Sequence, residues 1–421
     1  MALVVPKSAT VETIMPTAGG SSKWWTRLAP PTTPLYPSGH PALADVAQGQ
    51  LGDCFLLSAI CAILVRTGGP AFIENMLLDT GDGYVVARLY DAAGRAQYLR
   101  AKKMFCVMQS TTSGASAAPT SPQNRMWVSM LEVFCTAFTL GSETGKYAFD
   151  GKNASFTRLA GGRAGNALMC LQGAAPTRHS IPNYVSEVEF DRPYRANLDA
   201  GLQTLLGGYT GDSSYNTLVG SLSGIGWQAW FNTNRASVAT KWDAFLTARR
   251  GKTIRREDLR TWLNNNFAPP EANALYTRFN AALSGKRGTG AYSTTDLAQY
   301  QTVAAALSSN RPVVLDTKTH VARSATGVGH SGGEAIAKGL VGGHSYAVVE
   351  ALHEPTNGRR WLKVVNPWGS YVREYHPIGD TAAQSATNAD QSGEGNGVFW
   401  LLLDDYVKRF AAALTGGTAV S

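Results

Sequence analysis

The sequence predicts an α+β fold, and three observations lead there. Apolar residues recur at helical spacing through the first half of the chain, strand-like runs dominate the last quarter, and a basic segment of short helical patterns separates the two. Residues 1–40 are rich in Pro, Gly and Ser around Trp24 and Trp25 and read as an extension without a core of its own, a candidate regulatory segment. Residues 41–194 form a first, mainly helical lobe. In it Tyr84–Tyr90 alternates as a strand, Asp91–Ala96 with Gly94 turns it back to Gln97–Leu99, and Trp127, Met130, Leu131, Phe134, Ala137 and Phe138 share one helical face. Residues 195–292 read as a helical basic insertion, with Val238, Trp242, Phe245 and Leu246, then Leu259, Trp262, Leu263 and Phe267, at helical spacing. Residues 293–412 form a β-rich lobe: a helix through Leu297, Tyr300, Val303 and Leu307 leads into strands at Val313–Leu315, Ser345–Leu352, Trp361–Val365 and Val398–Leu403. Residues 413–421 read as a tail.

Composition limits the function classes. The 421 residues are 44% hydrophobic and 10% aromatic, which excludes a disordered chain, and the length suffices for two or three domains or lobes. The longest apolar stretch, Leu56 to Val65, is too short to span a bilayer, and no Sec-type signal is visible, so no membrane role is expected. Five cysteines without metal-like spacing fit free thiols in a reducing, cytoplasmic setting; export as an effector without a Sec signal stays open. The net charge of +8 favours acidic partners only weakly. Six basic residues between Arg249 and Arg260 (Arg249, Arg250, Lys252, Arg255, Arg256, Arg260) suit a solvated helix surface better than a nucleic-acid site.

The chemistry concentrates in three segments. In Gln48-Gly-Gln-Leu-Gly-Asp-Cys54, two glycines allow a tight turn before an apolar helix, which places Cys54 at a helix N-terminus. There the helix dipole and free amides favour the thiolate, the nucleophilic form. A thiolate of this kind needs a base and an orienting partner for that base. His344 follows the glycine-rich stretch Gly327–Gly343 and opens the strand Ser345-Tyr-Ala-Val-Val. Asn366, in Val364-Val-Asn-Pro-Trp368-Gly, ends a neighbouring strand and offers an amide to the imidazole.

Together these segments resemble the calpain family of papain-like cysteine peptidases. The matching pieces are QGQLGDCFLLSAI (48–60), MWVSMLEVFCTAF (126–138), AFDGKNASFTRLAGG (148–162), GLVGGHSYAVV (339–349), VVNPWG (364–369) and GVFWLLLDDYVKRF (397–410), in the family's order. The resemblance covers about 41–190 and 294–412, the two lobes of a protease core. It implies a papain-like fold, with a helical lobe bearing the Cys helix, a β-rich lobe bearing His and Asn, and a cleft between them. It further implies Cys54 as nucleophile, His344 as acid and base, and Asn366 as the residue orienting His344. Gln48 and the Cys54 backbone N–H would form the oxyanion hole, while Trp368, Phe55 and Gly343 would wall the site. Phe55 stands where the family usually has Trp.

The implied activity is limited cleavage of protein substrates. The spacing from Cys54 to His344 far exceeds the roughly 130 to 150 residues of papain-like enzymes, so 195–292 reads as an insertion between lobes, a place for a regulatory partner. Chemistry needs no cofactor, but calpain cores close around calcium. Asp45 and Glu132 match the acidic ligands of a first calcium site; at the second, Val372, Asn396 and Val398 replace the acids, so that site is expected to be absent. The rival readings are a catalytically silent scaffold or basic nucleic-acid or partner-binding module, and a papain-fold acyl transferase.

Overall fold

A computed structural model describes residues 3–17, 24–49, 51–108, 125–142, 145–181, 292, 294–317, 335–337, 340–354, 359–369, 397–421 and parts of 233–276. It is a mixed α+β structure. Near the N-terminus lie β1 (Val11–Thr13) and β2 (Trp24–Leu28), followed by helices α1 (Cys54–Leu64) and α2 (Gly69–Glu74). Strands β3 (Leu77–Asp79), β4 (Tyr84–Tyr90), β5 (Ala96–Lys102) and β6 (Met104–Met108) come next, then helices α3 (Met126–Cys135) and α4 (Ala164–Gln172).

The expected hairpin is present as β4 and β5, but the first lobe holds more strand than its helical periodicity suggested. The sheet order is β1-β5-β4-β3, and β2 pairs with β6. The N-terminal segment is therefore not a free extension. β1 pairs in parallel with β5, and Ile14 and Leu35 are buried in the same core as α1. Three-residue strands escape a periodicity reading, because alternation needs four or more residues to show. Helix α1 is buried on every side from Phe55 to Leu64, as a central helix must be when apolar all round. The helix ends at Leu64, just before Arg66 and Gly68, and Pro70 lies in the first turn of α2, where its missing N–H is harmless. Helix α4, which sequence periodicity did not single out, packs against α1.

After β7 (Thr177–Ser180), the described part of the central segment contains α5 (Arg256–Asn266). Val238, Phe245, Leu263 and Leu275 are buried there, and the Trp262 ring lies 4.8 Å from Phe245 and 5.8 Å from Phe267. Most of the basic stretch lies outside the described residues. Arg260 is exposed and sits 4.5 Å from the Tyr276 ring.

Helix α6 (Thr294–Ser308) leads into β8 (Val313–Thr317), followed by β9 (Ala335–Ala337), β10 (Leu340–Val341), β11 (Ser345–His353), β12 (Arg360–Val365), β13 (Val398–Leu402), α7 (Leu403–Arg409) and β14 (Phe410–Thr415). One antiparallel sheet runs β13-β12-β11-β8-β14-β7. Two expected boundaries shift as a result: β7 leaves the first lobe for this sheet, and β14 extends past residue 412. Val420 is also buried, so 413–421 is not a loose tail.

Side chains alternate between the sheet's two faces, as strand geometry requires. Val314, Ala347, Val365, Val398 and Leu414 join the core around α1, while Val313, Leu315, Tyr346, Val348 and Phe399 join a second core with α6 and α7. Buried bonds tie α1 to the sheet. Ser58 donates to the Ser345 carbonyl at 2.7 Å, and the Arg66 guanidinium, just past the helix end, reaches the Val348 and Val349 carbonyls.

Candidate active site

Strand register brings the imidazole and its amide together. β11 and β12 run antiparallel with Ala347 opposite Val365, so His344, before β11, and Asn366, after β12, emerge at one end of the sheet. His344 Nε2 lies 2.9 Å from Asn366 Oδ1. That oxygen also accepts the Trp368 backbone N–H at 3.1 Å, which identifies it as the carbonyl oxygen of the amide. Nε2 must then be the donor, leaving Nδ1 as the basic nitrogen. The His344 ring lies 4.9 Å from the Trp368 ring and meets Tyr346 edge-on at 5.0 Å. The Tyr346 hydroxyl accepts the Val341 N–H at 3.0 Å, anchoring the approach to His344.

Its backbone is held as firmly. The His344 N–H donates to Thr317 Oγ1 at 2.8 Å, and the His344 carbonyl accepts from the Thr317 hydroxyl at 3.0 Å and its N–H at 2.9 Å. Gly343, with φ +62°, occupies the left-handed region that favours glycine and is exposed beside the imidazole.

Cys54 is the first residue of α1 and is half-buried, as its sequence context anticipates. The Ser345 and Phe55 backbone amides favour its thiolate, and Ser345 is one residue from His344. The helix start alone was expected to favour the thiolate. Burial outweighs it: with the Asp53 and Asp316 carboxyls adding smaller effects, the thiol is pushed up to about 12 despite the nearby Ser345 and Phe55 amides. Burial likewise pushes His344 down to about 4, with the Asn366 bond working against that. The resting couple is therefore a neutral thiol and a neutral imidazole.

Gln48 sits beside this couple but is engaged differently from the expectation. Its backbone N–H donates to the Pro367 carbonyl at 2.6 Å, and its side-chain amide donates to the Leu51 carbonyl at 2.7 Å. One amide hydrogen is left over for an oxyanion. The helix start supplies further donors: the Leu56 and Leu57 amides bond the Asp53 carbonyl, whereas those of Cys54 and Phe55 lack intrahelical acceptors, and Asp53 does not cap them with its side chain. Phe55 is buried beneath Gly162, where an added Cβ would lie 2.3 Å from the ring, so it forms floor rather than wall. Trp368 stays half-buried over His344.

The calcium expectation meets a different arrangement. Asp45 Oδ2 accepts the Ala42 N–H at 3.0 Å and the Trp127 indole N–H at 2.9 Å, so Asp45 closes a 3-10 turn, Leu43–Asp45, against α3. Glu132 is buried near Asp53, whose carboxyl burial first and the Glu132 charge second hold well above the usual carboxylate range. Among the described residues no group of three or more His, Cys, Asp or Glu side chains is placed to hold a metal. Val372 and Asn396 lie outside the described residues, and Val398 is buried in β13.

Sequence reasoning missed Thr317, Asp53, Ser345 and Asp316. Asp53 and Ser345 adjoin Cys54 and His344 in the chain and were open to notice. Thr317 and Asp316 reach the site only through the β8–β11 register. Among the described residues no helix is long and apolar enough to cross a membrane. No family model matches the chain, and no curated protein matches its sequence.

Proposed function

We propose that this chain is a cysteine endopeptidase of calpain-like type, on a papain-like arrangement of two lobes, that makes limited cuts in protein substrates. The reading rests above all on the His344–Asn366 bond, whose polarity leaves Nδ1 free as the base one residue from the amide that favours the Cys54 thiolate. Substrate binding brings a peptide carbonyl to the sulfur, and Nδ1 takes the thiol proton. The thiolate attacks the carbonyl carbon, and the developing oxyanion takes the Cys54 N–H and the spare Gln48 amide hydrogen. Such donors are each worth about 3 kcal/mol in comparable enzymes. The imidazolium protonates the leaving nitrogen, the C–N bond breaks, and a thioester remains. Water then gives a proton to Nδ1, attacks the thioester and releases acid and thiol. Trp368 shields the His344–Asn366 bond from water, and Thr317 holds the histidine backbone through both cycles. No step runs through a metal.

Incubating an unstructured protein with the native chain and with Cys54→Ala, each with calcium and with a chelator, tests this. Cleavage by the native chain in both buffers is expected, with none by the variant. Cleavage that survives the substitution removes Cys54 from the chemistry, and cleavage that stops with chelator restores calcium to it.

A further inference from the structure

Two carboxyls raise the Cys54 thiol, those of Asp53 and Asp316. They differ in access. Asp53 is fully buried, whereas the Asp316 side chain keeps 26% of its surface exposed. Asp316 lies on β8 directly opposite Ser345, the residue after His344, and its Oδ1 accepts the Ser345 hydroxyl at 2.7 Å. That bond fixes the carboxylate's direction. Its Oδ2 takes no hydrogen bond among the described residues. The ion pair it makes, with Arg178 Nη1 at 3.9 Å, is beyond hydrogen-bonding distance, and Arg178 is itself 44% exposed on the edge strand β7. Burial pushes the Asp316 carboxyl up, while the Ser345 hydrogen bond and the charges of Arg178 and Arg163 work against that, and its free oxygen gains by taking a charged donor at full contact.

We propose that Asp316 determines specificity by taking a cationic side chain, Lys or Arg, of the substrate next to the scissile bond. The proposal rests on the peptidase reading and adds the substrate class to it. An arriving ammonium or guanidinium would complete the free oxygen in place of the distant Arg178. It would also offset the influence of Asp316 against the thiolate, so binding the preferred residue would ease proton transfer from Cys54. An acidic side chain would add to the repulsion at the sulfur.

The test is a library of fluorogenic tetrapeptide amides with one position fixed in turn as Arg, Lys, Leu or Glu. A charge-assisted hydrogen bond predicts a preference of about 10- to 100-fold for Arg or Lys over Leu at one position. Asp316→Asn, which keeps an acceptor for Ser345, should erase that preference. Asp316→Glu should retain part of it. If the Asn variant fails to fold, the native chain decides alone, since the preference must shrink as salt is raised. Cleavage without cationic preference at any position, or a preference untouched in Asp316→Asn, overturns the proposal and leaves the peptidase reading standing. If no peptide is cleaved, it is the peptidase reading that fails. Agmatine binding, followed by calorimetry, then decides the cation site: binding lost in Asp316→Asn supports it, and no binding to the native chain overturns it.

Discussion

The two halves of the site are prepared to different degrees. His344 is fixed at every point: Thr317 holds its backbone, Asn366 its Nε2–H, and Trp368 and Tyr346 its ring. Cys54 has two amides favouring its thiolate and works against burial and two carboxyls. A base built this firmly beside a nucleophile this reluctant means that geometry is paid for in advance, while charge separation waits for substrate. The imidazole half should therefore tolerate little change, and changes of charge around the sulfur should tune the rate instead of abolishing it.

The largest expected effect is the loss of the nucleophile. Cys54→Ala should lower peptide cleavage by about 10⁴-fold or more, to background in a fluorogenic assay, with an unchanged melting temperature. Asn366→Ala comes next. It frees the imidazole to rotate or change tautomer, and kcat should fall about 10²-fold with KM nearly constant. A fall in kcat of less than a few fold would show that Trp368 and Tyr346 hold the ring without the amide.

Stability sharpens the contrast further. Thr317→Val leaves the His344 N–H without its acceptor and should cost about 1 to 3 kcal/mol in urea unfolding. The pH dependence of cleavage follows from the base. His344 must be neutral to act, and burial keeps it so down to about 4, so the acid limb of kcat/KM should lie well below 6.5, the ordinary imidazole value.

The smallest effect belongs to Asp53. Its folded-state pKa is raised above the unfolded value, so its contribution to stability is fully present below that unfolded value and is lost as pH rises through the folded one. Asp53→Asn removes that dependence. The melting temperature of the variant should gain on the native chain as pH rises from about 4. A pH-independent difference in melting temperature would count against a raised Asp53 carboxyl.

Much of this was legible in the sequence, for reasons that differ by residue. The helix at Cys54 announces itself through Gly49, Gly52 and an unbroken apolar run, and the strands ending at Asn366 and beginning after His344 through β-branched runs. Register was not legible. Nothing in the composition of Val313–Thr317 says that Asp316 will stand opposite Ser345, or that Thr317 will clamp His344, because pairing partners are chosen by the whole sheet. The rise in the Cys54 pKa was misjudged for a related reason. Helix position is local and visible, whereas the burial and the Asp316 charge that oppose it come from a strand 250 and more residues away in sequence. Glu132 matched a calcium ligand by its place in the helix, yet its partner Asp53 was set by packing between α1 and α3.

The central claim is that His344 takes the Cys54 proton, and the alkylation rate of Cys54 by iodoacetamide tests it without any substrate. Measured from pH 4 to 10 in the native chain and in His344→Ala, the rate in the native chain should exceed that of the variant by about 10²-fold across the neutral range, because the imidazole takes the proton as the sulfur attacks. In the variant the rate should climb only toward the alkaline end, since burial holds the unaided thiol near 12. Superimposable profiles would mean that the imidazole does not activate the sulfur, which contradicts the account.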